Sequence, residues 1–329
     1  MPRAIIADEF GPPESYRLAE RDPGHAGAGQ VRVAIKAAGI SYVDVLMAMG
    51  KYQMKPPLPF IPGSEFSGIV EEVGEGVTHL AVGDAVFGSE FGSVFAEAGV
   101  FKAKSLARLP DGMRLDEAAL LPVNYLTAYY ALADRGRARP GETLLVLGAA
   151  GGTGFAAVQV GKHLGLRVIA SASSEAKRQA ALAGGADAAV ARGAEDWREQ
   201  IRAANDGKPV DIVFDPVGGE ATDLAFRTLG YDGRHLVIGF PAGMTALKTN
   251  LPLLKMASLV GVDVRGHGIA RPEESAAYRK TVAELAGQGK FHPAIAARYP
   301  MEDYAAAMNE AYSGKAAGRV VLIMGDGGK

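Results

Sequence analysis

The residues whose types and spacing speak most directly of chemistry lie between Thr143 and Gln159, TLLVLGAAGGTGFAAVQ. A short apolar run, Leu144 to Leu147, leads into the turn Gly148-Ala149-Ala150-Gly151-Gly152-Thr153-Gly154. A helical pattern follows, with Phe155, Val158, Val160 and Leu164 on roughly one side. Strand, glycine turn and helix together aim a helix N-terminus at a pyrophosphate. Set against G-x-G-x-x-G, the chain reads Ala149-x-Gly151-x-x-Gly154, so the first glycine is an alanine. Gly151 would let the backbone approach phosphates, and Gly154 would let the helix pack closely on its strand. Alone, the same turn also suits a tight strand–helix connection with no ligand.

The next chemistry-bearing stretch ends the second strand, Ala170-Ser171-Ala172-Ser173-Ser174. An NAD-selective sheet usually carries an acidic residue here, to hold the ribose 2′-hydroxyl. No carboxylate appears before Glu175, which is already inside the next helix. Serines at a helix start are ordinary caps and also good donors to a phosphate. Lys177 lies one turn further on, Arg178 is adjacent, and Arg192 ends the following strand, within reach of the same pocket.

Composition removes other chemistries. The 329 residues contain no cysteine, so disulfides, thiolate metal sites and a cysteine nucleophile are excluded. The six histidines, His25, His79, His163, His235, His267 and His292, show no ligand spacing and read as surface or packing residues. A net charge of −2 offers no field for nucleic acid or a membrane surface. No basic segment and apolar core open the chain, and the closest apolar run, 118–133, is broken by Pro122, Asn124 and Thr127. The expectation is a soluble cytoplasmic protein with no membrane partner.

The elements that position these residues follow from period and punctuation. Val31, Val33 and Ile35 alternate with polar or small neighbours, as in a half-buried strand. A short helix is expected over 45–49, then a proline-rich loop over 56–62. Short apolar segments divided by glycines between Gly63 and Ala98 predict a small barrel-like β domain. From about Pro122 strands and helices alternate, with strands expected at 144–147, 167–170, 188–191, 210–214, 235–239 and 260–264. Such alternation predicts a parallel, doubly wound six-stranded sheet. Helices are expected over 127–133, 175–183, 196–204, 221–229, 253–258, 272–286 and 302–313. A closing strand at 319–323 is too little to fold alone, so the tail is expected to return to the first domain. The domains are thus expected at 1–122, 123–266 and 267–329, with residues 325–329 frayed.

The chain resembles a zinc-free member of the medium-chain dehydrogenase/reductase superfamily, of the NADPH:quinone oxidoreductase (zeta-crystallin-like) type. The resemblance rests on the segments 39–44 (GISYVD), 59–65 (PFIPGSE), 82–84 (VGD), 148–154 (GAAGGTG), 215–219 (DPVGG) and 318–322 (GRVVL). It implies a Rossmann sheet inserted in a GroES-like β-barrel catalytic domain, with cofactor and substrate in the cleft between domains. Zinc alcohol dehydrogenases are similar but carry glycine-histidine-glutamate where this chain has Gly63-Ser64-Glu65. Without a Lewis acid, hydride transfer into a quinone or a carbonyl-conjugated C=C is the easier chemistry, because the charge formed is delocalised on oxygen.

The resemblance puts Lys177 where similar quinone reductases hold the 2′-phosphate, so NADPH is the expected cofactor. Its expected contacts are Asn124 and Thr127 at the domain junction, Ala150, Gly151, Gly152, Thr153 and Gly154 in the turn, and Ser171, Ser173, Ser174, Lys177 and Arg192 around the phosphate. Gly239 and Phe240 are expected at the end of the fifth strand, and Lys315 and Arg319 near the chain's end. At the catalytic side the family has asparagine where this chain has Ser41 and tyrosine where it has Leu46, while Tyr52 matches a second family tyrosine. Tyr52 is the expected proton donor or oxyanion partner, since a phenol can hydrogen-bond a developing enolate or hydroquinone oxygen. Tyr42 competes for that role, and either ring can simply line the pocket. Reduction of enals, enones or enoyl thioesters is the alternative activity; a non-catalytic NADPH-binding or nucleic-acid-binding protein is the alternative class. Relatives pair through the last strand of the sheet, so a homodimer through 260–264 is expected.

Overall fold

The computed structural model describes residues 1–325, so the last four residues of the expected frayed tail lie outside the described residues. The chain divides into two compact units. The first holds Met1–Val123, Arg279–Gly289 and Pro293–Lys329; the second holds Asn124–Tyr278 and Lys290–His292.

The first unit is built on the long strand Gln30–Ile40, whose residues alternate between buried and half-buried before its end sinks entirely into the core. It pairs antiparallel with Glu65–Val73, Ala98–Lys102 and Arg319–Ile323. Register shifts at Arg32/Val33 and Ile35/Ala37 bend it, as bulges do. Ala85–Ser89, Leu106–Arg108 and Ile295–Pro300 complete a seven-stranded sheet. Its curl encloses Val31, Val33, Ile35, Phe66, Phe101, Met301 and Met308. Phe66 and Phe101 stack at 4.2 Å. The closing strand therefore returns to the first unit, Val320 opposite Ile40. This is the GroES-like β fold.

The second unit carries six parallel strands in the order Ala188–Ala191, Arg167–Ala172, Thr143–Leu147, Val210–Asp215, Leu229–Val237, Ser258–Gly261. In chain order this is 3-2-1-4-5-6, the doubly wound Rossmann arrangement. Thr143–Leu147 is buried at every residue, as a central parallel strand covered on both faces must be. The order reverses between this strand and Val210–Asp215, which makes a crevice at their carboxyl ends.

Several expected boundaries move. The fifth strand is Leu229–Val237 rather than 235–239. Its start was hidden because Tyr231-Asp232-Gly233 reads as a turn, yet Leu229 already pairs with Val210. The sixth is Ser258–Gly261, not 260–264. Asp263 stops it: its side chain accepts the Gly266 N–H and caps a helix, Val264–Ala270, that removes Val264 from the sheet. Residues 267–278, assigned above to the returning tail, lie in the second unit. The expected helix at 127–133 is instead a composite, with π-type turns at Leu121–Tyr125 and Tyr130–Arg135 around Leu126–Tyr129.

Candidate functional site

In the second unit, the glycine turn is shaped by close contacts. Gly148 has φ +58°, and a Cβ there would sit 3.0 Å from Val217. Gly151 caps the helix Gly152–His163 with extended backbone and no side-chain cap bond. The first-turn N–H groups have no partner within the helix, so this end is suited to an anion. A Cβ on Gly154 would lie 2.3 Å from the Gly148 carbonyl oxygen. Gly154 is thus required for packing. An added Cβ on Gly151 would stand 3.3 Å from the same Gly148 carbonyl oxygen, a tight contact, so glycine keeps the turn close there. Ala150 is buried under the turn. Thr153 donates its hydroxyl to Asn124 at 3.0 Å, so two expected cofactor contacts are held together. Thr127 is buried in the composite helix nearby in sequence.

At the end of the second strand, the serines divide. Ser171 is fully buried, and its hydroxyl accepts the Trp197 indole N–H at 3.0 Å. It belongs to the core, a correction to its expected role as phosphate donor. Ser174 caps the helix Glu175–Ala183, accepting the Lys177 N–H, and Ser173 is exposed beside it. Burial and the nearby charge of Arg192 depress the Lys177 amine below its ordinary range. Arg192 donates its backbone N–H to Ala172 at 3.0 Å, which fixes it against the same strand end. Arg178 turns to Glu175. Two cations that repel each other at a strand end suit a doubly charged anion. Gly239 and Phe240 lie beyond the fifth strand, and Phe240 is exposed.

In the first unit, Ser41 caps the helix Tyr42–Ala48 in a capping box with Asp44. Its hydroxyl donates to Asp44 Oδ2 at 2.6 Å and accepts the Asp44 N–H at 3.0 Å. Ser64 donates to Asp44 Oδ1 at 2.7 Å. The Ser41 proton is therefore committed to a carboxylate, which corrects its expected role as a donor to substrate. Burial pushes Asp44 up, against the bonds from Ser41 and Ser64. Next to Ser64, the buried Glu65 pairs with Arg319 and accepts the Val123 N–H at 3.2 Å. Arg319 also donates to the Ile40 carbonyl. Its guanidinium serves this buried pair rather than the expected cofactor contact. Lys315 is exposed after the last helix. Tyr42 stacks on Tyr312 at 5.2 Å and is pushed up by burial and by that ring. Tyr52 is half-buried in a bend, and its phenol has no hydrogen-bond partner among the described residues.

One grouping had no signal in spacing. Asp134, His267 and Glu274 bring ligand-type atoms within 4.8 Å of one another in the second unit. Both carboxylates are already engaged, Asp134 with the Tyr278 phenol and Glu274 with Arg271.

The family model described as "Alcohol dehydrogenase GroES-like domain" matches residues 27–111, and "Zinc-binding dehydrogenase" matches residues 152–287. Quinone oxidoreductase-like protein 2 of Rattus norvegicus is 36% identical over 328 residues, 98% of this chain and 92% of the rat protein. A probable oxidoreductase from Mycobacterium abscessus shares the fold with a TM-score of 0.89 and 34% identity, covering 98% of each chain. A mycobacterial protein solved in complex with NADPH has a TM-score of 0.88 and 28% identity, covering 98% of this chain and 100% of that one. The chain belongs to the medium-chain dehydrogenase/reductase superfamily, in its quinone oxidoreductase-type branch, and is an oxidoreductase. No helix among the described residues is long and apolar enough to cross a membrane.

The Glu65–Arg319 pair gives a test of the site's foundation. Arg319→Met leaves a buried carboxylate without its cation, a loss of about 4 kcal/mol near neutral pH. Burial raises Glu65, so the folded state keeps that proton to higher pH than the unfolded chain does. Stability from this group therefore falls as pH rises, and the variant's deficit should shrink toward about pH 5. Thermal unfolding at two pH values checks this; an equal deficit at both would contradict it.

Proposed function

We propose that the protein is a zinc-independent, NADPH-dependent reductase that reduces a quinone. The observation that carries the cofactor choice is a second strand whose end bears no carboxylate but is met by Lys177 in the next helix and by Arg192, whose backbone N–H bonds to Ala172. Ser173, Ser174 and the N-terminus of Glu175–Ala183 add donors beside them. The helix Gly152–His163 starts at the turn with no side-chain cap, so its first-turn N–H groups suit a pyrophosphate, and Asn124 and Thr153 form a fixed polar pair beside it. The likeness to a protein solved with NADPH supports the same choice. When bound, NADPH supplies the hydride. Zinc independence is supported by the donor set: Ser41 and Ser64 both give their hydroxyls to Asp44, and the chain has no thiol. The quinone reading draws on the quinone oxidoreductase-like relatives. A conjugated C=C acceptor places the same demand on the protein, a donor for an oxygen that gains negative charge.

Tyr52 meets that demand best in the first unit. Its phenol is unengaged, whereas Tyr42 is stacked and Ser41 is committed to Asp44. A hydrogen bond to an oxygen gaining charge is worth enough that Tyr52→Phe should lower kcat/KM about tenfold. An unchanged value would remove Tyr52 from the reaction.

Lys177→Glu should raise KM for NADPH by about tenfold or more and leave KM for NADH nearly unchanged. Wild-type protein that uses both cofactors equally would sink the NADPH assignment.

A homodimer belongs to the same reading. Ser258–Gly261 is the edge of the parallel sheet, and Leu253, Leu254, Met256 and Leu259 are exposed around it. Such an edge is a template for a second strand. Light scattering should give twice the chain's 34.2 kDa; a monomer mass would refute the pairing.

A further inference from the structure

The core of the second unit contains a buried polar network that neither the glycine turn nor the phosphate cations explain. Asp215 ends the fourth strand, at the crevice side of the sheet, and is essentially fully buried. Its Oδ1 accepts the N–H groups of Val217 and Gly218, both at 2.9 Å. Its Oδ2 accepts the Thr222 hydroxyl at 2.6 Å and lies 3.0 Å from His235 Nε2. Burial alone would push this carboxyl up, but the bonds from His235, Gly218 and Thr222 hold it below the usual range. An ionised carboxylate is acceptor-only, so His235 must present an Nε2–H to it. That tautomer leaves Nδ1 buried with no partner.

An orphaned buried nitrogen costs stability and calls for an explanation. His235 sits in a strand beside Leu236 and opposite Val213, where an apolar side chain would carry no such penalty. What the imidazole supplies in return is one donor to Asp215 Oδ2, which leaves Oδ1 for the loop. That loop, Pro216–Gly219, is tightly constrained. Gly218 and Gly219 have φ of +74° and +64°, and a Cβ on either would sit 2.7 Å from the 240–243 segment. Gly219 donates to the Gly243 carbonyl, and Ala242 donates to the Val217 carbonyl. On the other side, Val217 packs against Gly148, where the glycine turn begins.

We infer that His235, with Thr222, is a positioning residue that orients Asp215 to hold the Pro216–Gly219 loop between the glycine turn and the Phe240 segment, and so sets affinity for the dinucleotide. This rests on the proposed binding of a nicotinamide dinucleotide at the carboxyl end of the sheet. The loop lies at the strand ends on the far side of the order reversal from Lys177, so its effect does not depend on the 2′-phosphate.

The test compares His235→Leu, His235→Gln and Thr222→Val. Binding is read without turnover, by energy transfer from Trp197, the chain's one tryptophan, to bound NADPH or NADH. The leucine variant should raise Kd and KM for both nucleotides by about tenfold, with kcat at saturating cofactor within about twofold of wild type. Glutamine, whose amide N–H can replace Nε2–H, should restore most of the affinity, and Thr222→Val should shift both nucleotides in the same direction as leucine. A role confined to folding would lower the active fraction and leave Kd of the folded protein unchanged, which would overturn the inference. So would weakening of NADPH alone. Wild-type protein that binds neither nucleotide would overturn the cofactor proposal and this inference with it, a result distinct from a wild type that binds and variants that do not differ.

Discussion

The second unit depends on a contact that admits no side chain. Gly154 brings the helix Gly152–His163 so near the Gly148 carbonyl that a Cβ would stand 2.3 Å from the oxygen. That approach fixes where the helix N-terminus points and therefore where its unpaired N–H groups can meet an anion. The alanine at position 149 is compatible with it, because Ala149 is buried and its N–H is taken by the Ser171 carbonyl. The turn's geometry needs Gly148, with φ +58°, and Gly154, and it tolerates the alanine at position 149. Beside this contact, Thr153 donates to Asn124, and Val217 lies against Gly148.

The first unit rests on a different constraint, two buried carboxylates in one small region. Asp44 and Glu65 are both pushed up by burial. They are held by different means: Asp44 by the hydroxyls of Ser41 and Ser64 and a backbone N–H, Glu65 by Arg319. Gly39 makes room, since a Cβ there would lie 2.6 Å from Glu65 Oε1. In similar zinc enzymes the residue before this glutamate is a histidine; here Ser64 spends its hydroxyl on Asp44. These charged groups are thus turned inward, whereas the Tyr52 phenol is half-buried and without a hydrogen-bond partner among the described residues.

Local signals were legible and long-range pairings were not. Strand Thr143–Leu147, its glycine turn and the helix after it follow from an apolar run and glycine spacing. So does the return of Arg319–Ile323 to the first unit, because a lone helix and strand cannot bury themselves. Ser171 looked like its neighbours Ser173 and Ser174, but Trp197, 26 residues later, claims its hydroxyl. Arg319 looked like a cation for the cofactor, but its partner Glu65 lies 254 residues earlier. The Asp215–His235 bond spans 20 residues, and no periodicity marks it. The Asp215-Pro216-Val217-Gly218-Gly219 segment did mark the loop, without revealing what orders it. The edge strand starts two residues and ends three residues earlier than its apolar run suggests, because Asp263 is a helix cap rather than part of the strand.

The proposed reaction passes a hydride from NADPH to an electron-poor acceptor without zinc. The direct measurement mixes chelator-treated protein with NADPH and a panel of quinones, enals and enones, and follows the nicotinamide absorbance. The expected result is acceptor-dependent oxidation of NADPH, fastest with a quinone and undiminished by the chelator. NADPH that stays reduced with every acceptor, or turnover that returns only when zinc is restored, would contradict it.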